Sequence, residues 1–338
     1  MSKRKLSRQQ AWRVEKIQQE RAKRSARRDA LAEEALVGGE LGPEREGLIV
    51  AHYGTQVAVE SAPGISHRCH MRANLEGLVT GDKVVWCEGE SLGVVVAALE
   101  RDSVLSRPDP QGKLKPVAAN IDQIMIVVAP YPEAHANLID RYLIASETVA
   151  IQPVIVLNKI DLLESDTALR EHLDTMLSIY ATLGYTVLKV SAKEDGLSAL
   201  NDALKARTSI FVGQSGVGKS SLVNALLPEA NIRVGALSEN TLKGTHTTTT
   251  AQLMHLTCGG RLIDSPGIRE FGLWHMDRQQ IEQGFIEFLP FLGACKFRDC
   301  EHRSEPDCAL LAAAEAGTIS EQRLASYRHI VHSLDEKG

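Results

Sequence analysis

Gly213-Gln214-Ser215-Gly216-Val217-Gly218-Lys219-Ser220 lies between an apolar run, Ser209 to Val212, and a helical run, Ser221 to Leu227. A loop with the spacing G-x-x-x-x-G-K-[ST], set between a strand and a helix, is a phosphate-binding loop. Its glycines let the backbone bend until its N–H groups, and the N-terminus of the next helix, face phosphate oxygens. Lys219 is then expected to reach the β- and γ-phosphates, and the Ser220 hydroxyl to coordinate Mg²⁺. The candidate contacts are Gly213, Gln214, Ser215, Gly216, Val217, Gly218, Lys219, Ser220 and Ser221. The bland alternative is a chance glycine-rich turn, which the flanking strand and helix disfavour.

Which base accompanies the phosphates is a separate question, addressed by Asn158-Lys159-Ile160-Asp161, just after the apolar run Val154 to Leu157. A carboxylate at Asp161 can accept from N1–H and the exocyclic N2–H₂ of guanine. Adenine lacks that donor pair and would leave the carboxylate unpaired. Asn158 can hold the loop, and the stem of Lys159 can lie along the base. Ser191-Ala192-Lys193, again after a strand, can present backbone N–H to guanine O6. The expected ligands are GTP and GDP. Asp264-Ser265-Pro266-Gly267 adds an aspartate for Mg²⁺ through water and a Gly267 N–H facing the γ-phosphate. In the segment Gly244 to Thr250 (GTHTTTT), Thr247 is the first candidate for a second Mg²⁺ ligand, with Thr248 next, in a loop able to order on the triphosphate. A plain polar turn is the alternative there.

Further out, uninterrupted β-branched runs recur at Ile124 to Ala129, Val154 to Leu157, Thr186 to Val190, Ser209 to Val212 and Arg261 to Ile263, separated by helical patterns. That is what a parallel sheet covered on both faces needs. A doubly wound α/β domain is expected over residues 117–275. Upstream, residues 46–106 hold five short β-like runs broken by Tyr53-Gly54, Pro63-Gly64, Gly81-Asp82 and Gly89, which suits a small closed barrel of the oligonucleotide-binding (OB) type. An SH3-like barrel competes. Residues 107–116 (RPDPQGKLKP) read as a linker. In residues 276–338, Thr318 and Glu321 suggest a capping box opening a helix whose apolar face is Leu324, Tyr327, Val331 and Leu334; Gly317 suits the end of the helix before it.

The same region carries Cys295, Cys300, His302 and Cys308, spaced Cys-x4-Cys-x-His-x5-Cys. Three thiolates and an imidazole make a full tetrahedral set with no open position, so a structural Zn²⁺ is expected. Disulfides are the alternative, which an interposed histidine and a reducing compartment disfavour. Cys69, Cys87 and Cys258 are expected to be buried small hydrophobes.

With 338 residues, 43% hydrophobic and 24% charged, the chain has the composition of a multidomain globular protein and not of a disordered or fibrous one. No apolar run approaches the roughly 20 residues needed to cross a bilayer, and no secretory signal is recognisable, so a cytoplasmic protein without membrane association is expected. The net charge of -5 averages two unlike parts. Residues 1–30 hold eleven Lys or Arg against three acids, and the rest 27 basic against 40 acidic residues. A basic flexible arm, residues 1–45, therefore precedes an acidic body and suggests a phosphate-rich partner, nucleic acid first. A solvated, solubilising helix is the competing account.

The base-reading motifs precede the phosphate loop, whereas in most small GTPases they follow it, so the domain is circularly permuted. Together with the barrel and the Cys/His cluster, NKID, GQSGVGKS, GTHTTT and DSPG resemble the RsgA/YjeQ family of circularly permuted ribosome-biogenesis GTPases over roughly residues 46–335. The resemblance implies a multidomain chain: an N-terminal OB-type β-barrel, a central α/β circularly permuted P-loop GTPase domain and a C-terminal helical zinc-binding domain. It implies a monomer that hydrolyses GTP and assists late maturation of the small ribosomal subunit, binding the subunit and its rRNA and stimulated by it. A nucleotide-gated RNA-binding module with incidental hydrolysis, and a GTP-dependent protein-binding switch, are the alternatives. Ile268 occupies the position after Gly267 where Ras-like proteins carry a water-orienting Gln. His246 is the family-like candidate to act on the water, beside Lys219 and Thr247 as catalytic residues; an ordinary loop histidine is the alternative.

Overall fold

The computed structural model describes residues 41–335 apart from 55, 73–74, 76, 110, 194–195, 228–250 and 265–275. The chain divides into two units, Met1–Arg101 and Asp102–Gly338. Residues 1–40 of the expected arm, His246, Thr247, Thr248 and Ser265 to Ile268 lie outside the described residues, while residues 41–45, expected as the end of a flexible arm, are the paired start of the first strand.

In the first unit, strands β1 (Leu41–Tyr53), β2 (Gln56–Ala62), β3 (Ile65–Met71), β4 (Lys83–Gly89) and β5 (Gly93–Ala98) form a closed ring in the order β1-β2-β3-β5-β4 and back to β1. All contacts are antiparallel except β3 with β5. That parallel pair gives the Greek-key barrel of OB type expected from the five runs. The long β1 serves both neighbours because its register shifts at Leu41/Glu44 and at Ile49/Ala51, bending the strand. Inward positions alternate along the strands: Ile49, Val57, Val59, Cys69, Val84, Trp86 and Val95 form the core. Gly47 makes room for it, since a Cβ there would lie 2.9 Å from the Trp86 indole. Buried Asp82 latches the ring, accepting from Val79 N at 2.7 Å and from Arg101 Nε and Nη2 at 2.6 and 2.8 Å.

The second unit opens with a hairpin, β6 (Val104–Pro108) and β7 (Leu114–Ala119), on the stretch read as a linker. The Pro- and Gly-rich text is here the turn itself: Asp109 Oδ1 accepts from the N–H groups of Gln111 and Lys113, and Gly112 takes φ +82. Pro108 and Pro116 are tolerated because the ladder has only two strands.

The main sheet of this unit runs β10 (Thr186–Lys189), β9 (Gln152–Leu157), β8 (Gln123–Val128), β11 (Thr208–Val212), β13 (Arg261–Asp264), β12 (Gln252–His255). The first five are parallel; β12, not expected from the sequence, is antiparallel to β13. Every residue of β8 and β11 is buried, the physical reason for their uninterrupted apolar text. On one face Met125, Val127, Val154 and Val156 pack with Leu200 and Leu204 of α3 (Ser198–Leu204) and Leu222, Val223 and Leu226 of α4 (Lys219–Leu226). On the other, Ile124, Ile126, Ile155 and Leu157 are equally buried, and α1 (Ala136–Thr148) and α2 (Thr167–Thr182) contribute Ile139, Leu143, Leu173 and Leu177. Truncating any one of the Leu, Ile or Met side chains among these to Ala costs about 2–5 kcal/mol.

Beyond the sheet come α5 (Arg278–Gly284), a 3-10 segment Ile286–Phe291, α6 (Ala309–Glu315) and α7 (Glu321–Asp335). The expected box at Thr318 and Glu321 is corrected here. The Thr318 N–H instead closes α6 onto Ala313 O at 2.9 Å, with Gly317 at φ +73 as expected, and the first bond of α7 runs from Leu324 N to Ser320 O. A capping box does form at Asp277 and Gln280, opening α5. Among the described residues, no helix is long and apolar enough to cross a membrane.

Candidate functional site

The phosphate loop leaves β11 at Val212 and enters α4 at Lys219. Gly213, Gly216 and Gly218 take φ +138, +85 and +95. Two of them also answer to crowding: a Cβ on Gly213 would lie 2.2 Å from Val127 O, and one on Gly218 would lie 2.4 Å from Asn158 Nδ2. The loop therefore hugs β8 and the base-reading loop, with Lys219, Ser220 and Ser221 at the positive end of α4. The Lys219 ammonium lies across the loop, donating to Gly213 O at 2.6 Å and Gln214 O at 2.5 Å. That places its charge where phosphate oxygens would compete for it.

Asn158, Lys159 and Asp161 follow β9, and Lys159 takes the left-handed φ +62 that turns the chain into a 3-10 segment, Ile160–Leu163. Asn158 Nδ2 donates to Val217 O at 2.9 Å. Lys159 Nζ donates to Gly216 O at 2.6 Å and Tyr131 O at 2.8 Å. Asp161 faces Ser191 and Lys193, on the loop that follows β10: its Oδ1 accepts from Ser191 Oγ at 2.8 Å and its Oδ2 from Lys193 Nζ at 2.9 Å. The Lys193 hydrogen bond, then that of Ser191, holds its carboxyl below the ordinary value, so it is an ionised acceptor. The Asn158 Oδ1 is buried without a partner among the described residues, a polar group left for a ligand edge to satisfy. Ala192 is half-buried on the same loop, and Asp264 ends β13. All these residues stand at the carboxyl ends of parallel strands, where open α/β sheets bind ligands.

Three partners escaped the sequence reading. Lys193 serves Asp161 with its side chain and not only its backbone; Tyr131 supplies a carbonyl to Lys159; Pro132 lies 3.5 Å from where a Gly216 Cβ would be. The signal available was Pro130-Tyr131-Pro132 directly after a buried strand.

The four expected metal ligands are gathered. Their donor atoms lie within 4.8 Å of one another, with Cys295 Sγ 3.8 Å from Cys308 Sγ and His302 Nδ1 3.6 and 3.2 Å from those sulfurs. Tetrahedral bonds of about 2.3 Å to sulfur put ligand sulfurs about 3.8 Å apart, so the set fits one divalent ion. Burial first, and the neighbouring cysteines after it, push the Cys300 thiol up to about 12, a clustering that a cation relieves. His302 Nε2 faces Glu282 Oε1 at 3.6 Å, the outer carboxylate that orients a ligating imidazole. Cys69 and Cys87 are buried as expected, while Cys258 is only half-buried.

A phosphate-loop motif, an ionised carboxylate on the loop beside it and a sheet whose motifs run in permuted order define a circularly permuted P-loop GTPase. The family model for the RsgA GTPase matches residues 98–274. Over 338 residues and 99% of both chains, the sequence is 60% identical to the small ribosomal subunit biogenesis GTPase RsgA of Pseudomonas aeruginosa (strain PAO1), and over 344 residues and all of both chains 58% identical to that of Pseudomonas fluorescens (strain Pf0-1). The crystal structure of YjeQ from Thermotoga maritima superposes with a TM-score of 0.70 at 32% identity, covering 86% of this chain and 99% of that one. YloQ, described as a circularly permuted GTPase, gives 0.69 at 28% identity over 88% and 96%. The chain belongs to the RsgA GTPase family.

Replacing Asp161 by Asn removes the double acceptor. GTP affinity is expected to fall about 100-fold while xanthosine triphosphate, whose O2 accepts from the new amide, gains, as read by equilibrium titration. Because the folded pKa of Asp161 is lowered, its contribution is present above the ordinary carboxylate value and lost only as pH falls through the folded one; the affinity ratio of wild type to Asp161→Asn should stay flat between about pH 8 and 5.

Proposed function

We propose that the protein hydrolyses GTP to GDP and phosphate while cycling on a maturing small ribosomal subunit, binds its rRNA, and is stimulated by it. The observation that carries this is the convergence of ionised Asp161, Ser191 and Lys193 with the phosphate loop, in a chain that full-length relatives match. Functionally, residues 46–106 are a barrel module, 117–275 the GTPase and 276–338 a zinc-bearing module, acting together in a cytoplasmic monomer that needs no membrane. The basic segment ahead of the barrel, with eleven Lys or Arg in residues 1–30, supplies salt-sensitive encounter with rRNA.

In the site, Asp161 reads the guanine edge, the Gly213 to Ser221 backbone cradles the phosphates, and Lys219 holds the β- and γ-phosphates. Mg²⁺, held by Ser220 and Thr247 with Asp264 through water, neutralises phosphate charge when bound. Gly267 N–H faces the γ-phosphate, and His246 positions or deprotonates the attacking water in place of the Gln that Ile268 replaces. Zn²⁺ on Cys295, Cys300, His302 and Cys308 is structural and contributes folding energy.

GTP turnover measured with and without purified small subunits tests the central step. Stimulation of about tenfold or more, lost in His246→Ala with GDP affinity retained, is expected. Binding without stimulation would favour the nucleotide-gated RNA-binding module, and neither effect would refute the ribosomal role. Elemental analysis of the purified chain should find one zinc, and Cys308→Ser should lose it and loosen the C-terminal module to protease.

A further inference from the structure

Arg323, in the first turn of α7, is completely buried. Its guanidinium meets Glu287 in a two-pronged pair, Nε to Oε1 at 2.6 Å and Nη2 to Oε2 at 3.0 Å, while Nη1 donates to Asp140 Oδ1. Tyr180 Oη donates to the same Asp140 oxygen at 2.8 Å, and the Phe285 ring lies 4.4 Å under the guanidinium. Asp140 is on α1, Tyr180 on α2, and Glu287 in the 3-10 segment. One side chain thus ties the C-terminal region to two helices of the nucleotide-binding sheet.

The tie leads to the phosphates by a short route. Two residues beyond Asp140, the buried Tyr142 hydroxyl faces the Gly213 backbone N–H, which opposes the rise that burial gives its pKa. Gly213 is the first glycine of the phosphate loop. Before α1, the same stretch of chain offers Tyr131 O to Lys159, which also holds Gly216 O. The helix is gripped by the C-terminal region elsewhere too: Arg141 donates to Ser333 Oγ, and Gly284 packs so close that a Cβ would lie 2.5 Å from Ile144. Apolar residues of similar volume would fill a buried site like this at no loss of stability, so what the ion pairs add is a fixed orientation. Charge-assisted, two-pronged bonds resist the rotation and sliding that apolar packing permits.

We infer that Arg323 is a positioning residue for the stimulation of GTP turnover and not for its basal rate: through Asp140 and α1 it couples the orientation of the C-terminal region to the flank of the phosphate loop. A macromolecular partner that docks on that region then alters hydrolysis through α1. The partner half of this rests on the proposed ribosomal function; the coupling half does not.

The apolar replacement Arg323→Met, Asp140→Leu, Glu287→Leu keeps the volume and removes the charges, and Arg323→Lys keeps one charge without the fork. Hydrogen exchange of the full chain, with GDP or a non-hydrolysable GTP analogue and no partner, should show in the wild type a nucleotide-dependent change in residues 321–335 as well as in 136–148. In the folded apolar variant, with nucleotide affinity unchanged, the change in 321–335 disappears while that in 136–148 persists, and Arg323→Lys is intermediate. Stimulation by small subunits should drop about tenfold with intrinsic turnover unchanged. No nucleotide response in 321–335 of the wild type, or an undiminished one in the apolar variant, overturns the coupling. A coupled exchange response in a wild type that subunits do not stimulate leaves the coupling standing and removes the ribosomal reading instead.

Discussion

The nucleotide site depends on a tie between two loops that the chain does not keep together. Asn158 and Lys159 reach Val217 and Gly216 across 59 and 57 residues of sequence, in the reverse of the order most small GTPases use. Connectivity contributes nothing to that meeting. It is set by β8 standing between β9 and β11, and by glycine at 218, where any side chain would collide with the Asn158 amide. The buried Asn158 bond is neutral and the Lys159 bonds are charged but exposed, so each contributes about 1 kcal/mol, and together they hold the empty loop near its working shape. A cut and rejoined chain therefore keeps its chemistry so long as the sheet order and these contacts survive.

What permutation changes is what adjoins the site. In this chain β13, with Asp264 at its end, is the last described strand before the C-terminal helices, and α5 and α7 of these return to pack on α1, on the flank of the phosphate loop. The Cys/His cluster and the Arg323 network sit in different parts of that region. Cys295, Cys300, His302 and Cys308 gather on a segment of irregular backbone, with His302 and Asp307 in left-handed conformations. Arg323 ties α7 to Glu287 of the 3-10 segment and to Asp140 of α1.

The sequence is most legible where burial writes a period or a turn requires a residue type. β8 and β11 are buried on both faces and read as strands without ambiguity; the loop glycines are required by φ and by crowding; the Cys/His spacing is short and local. It is least legible where polar groups meet across long separations. Arg323 reads as one more charge on a helix, and nothing near it in sequence announces Asp140, 183 residues away. Lys193 and Tyr131 are silent for the same reason. The hairpin at Val104–Ala119 was hidden because its Pro and Gly residues occur in a turn as readily as in a linker, and its two strands are too short for a period to emerge. Thr318 shows the converse error: the spacing of a capping box was present, but the residue closes one helix instead of opening the next.

The most direct measurement is an equilibrium titration of GDP against the Lys159→Met chain beside the wild type. Methionine keeps an apolar stem for the base face and removes only the ammonium that joins Gly216 to Tyr131. If the tie between the two loops makes the site, affinity falls about tenfold or more while the fold, followed by circular dichroism, is unchanged. Wild-type affinity in a folded Lys159→Met chain would contradict it.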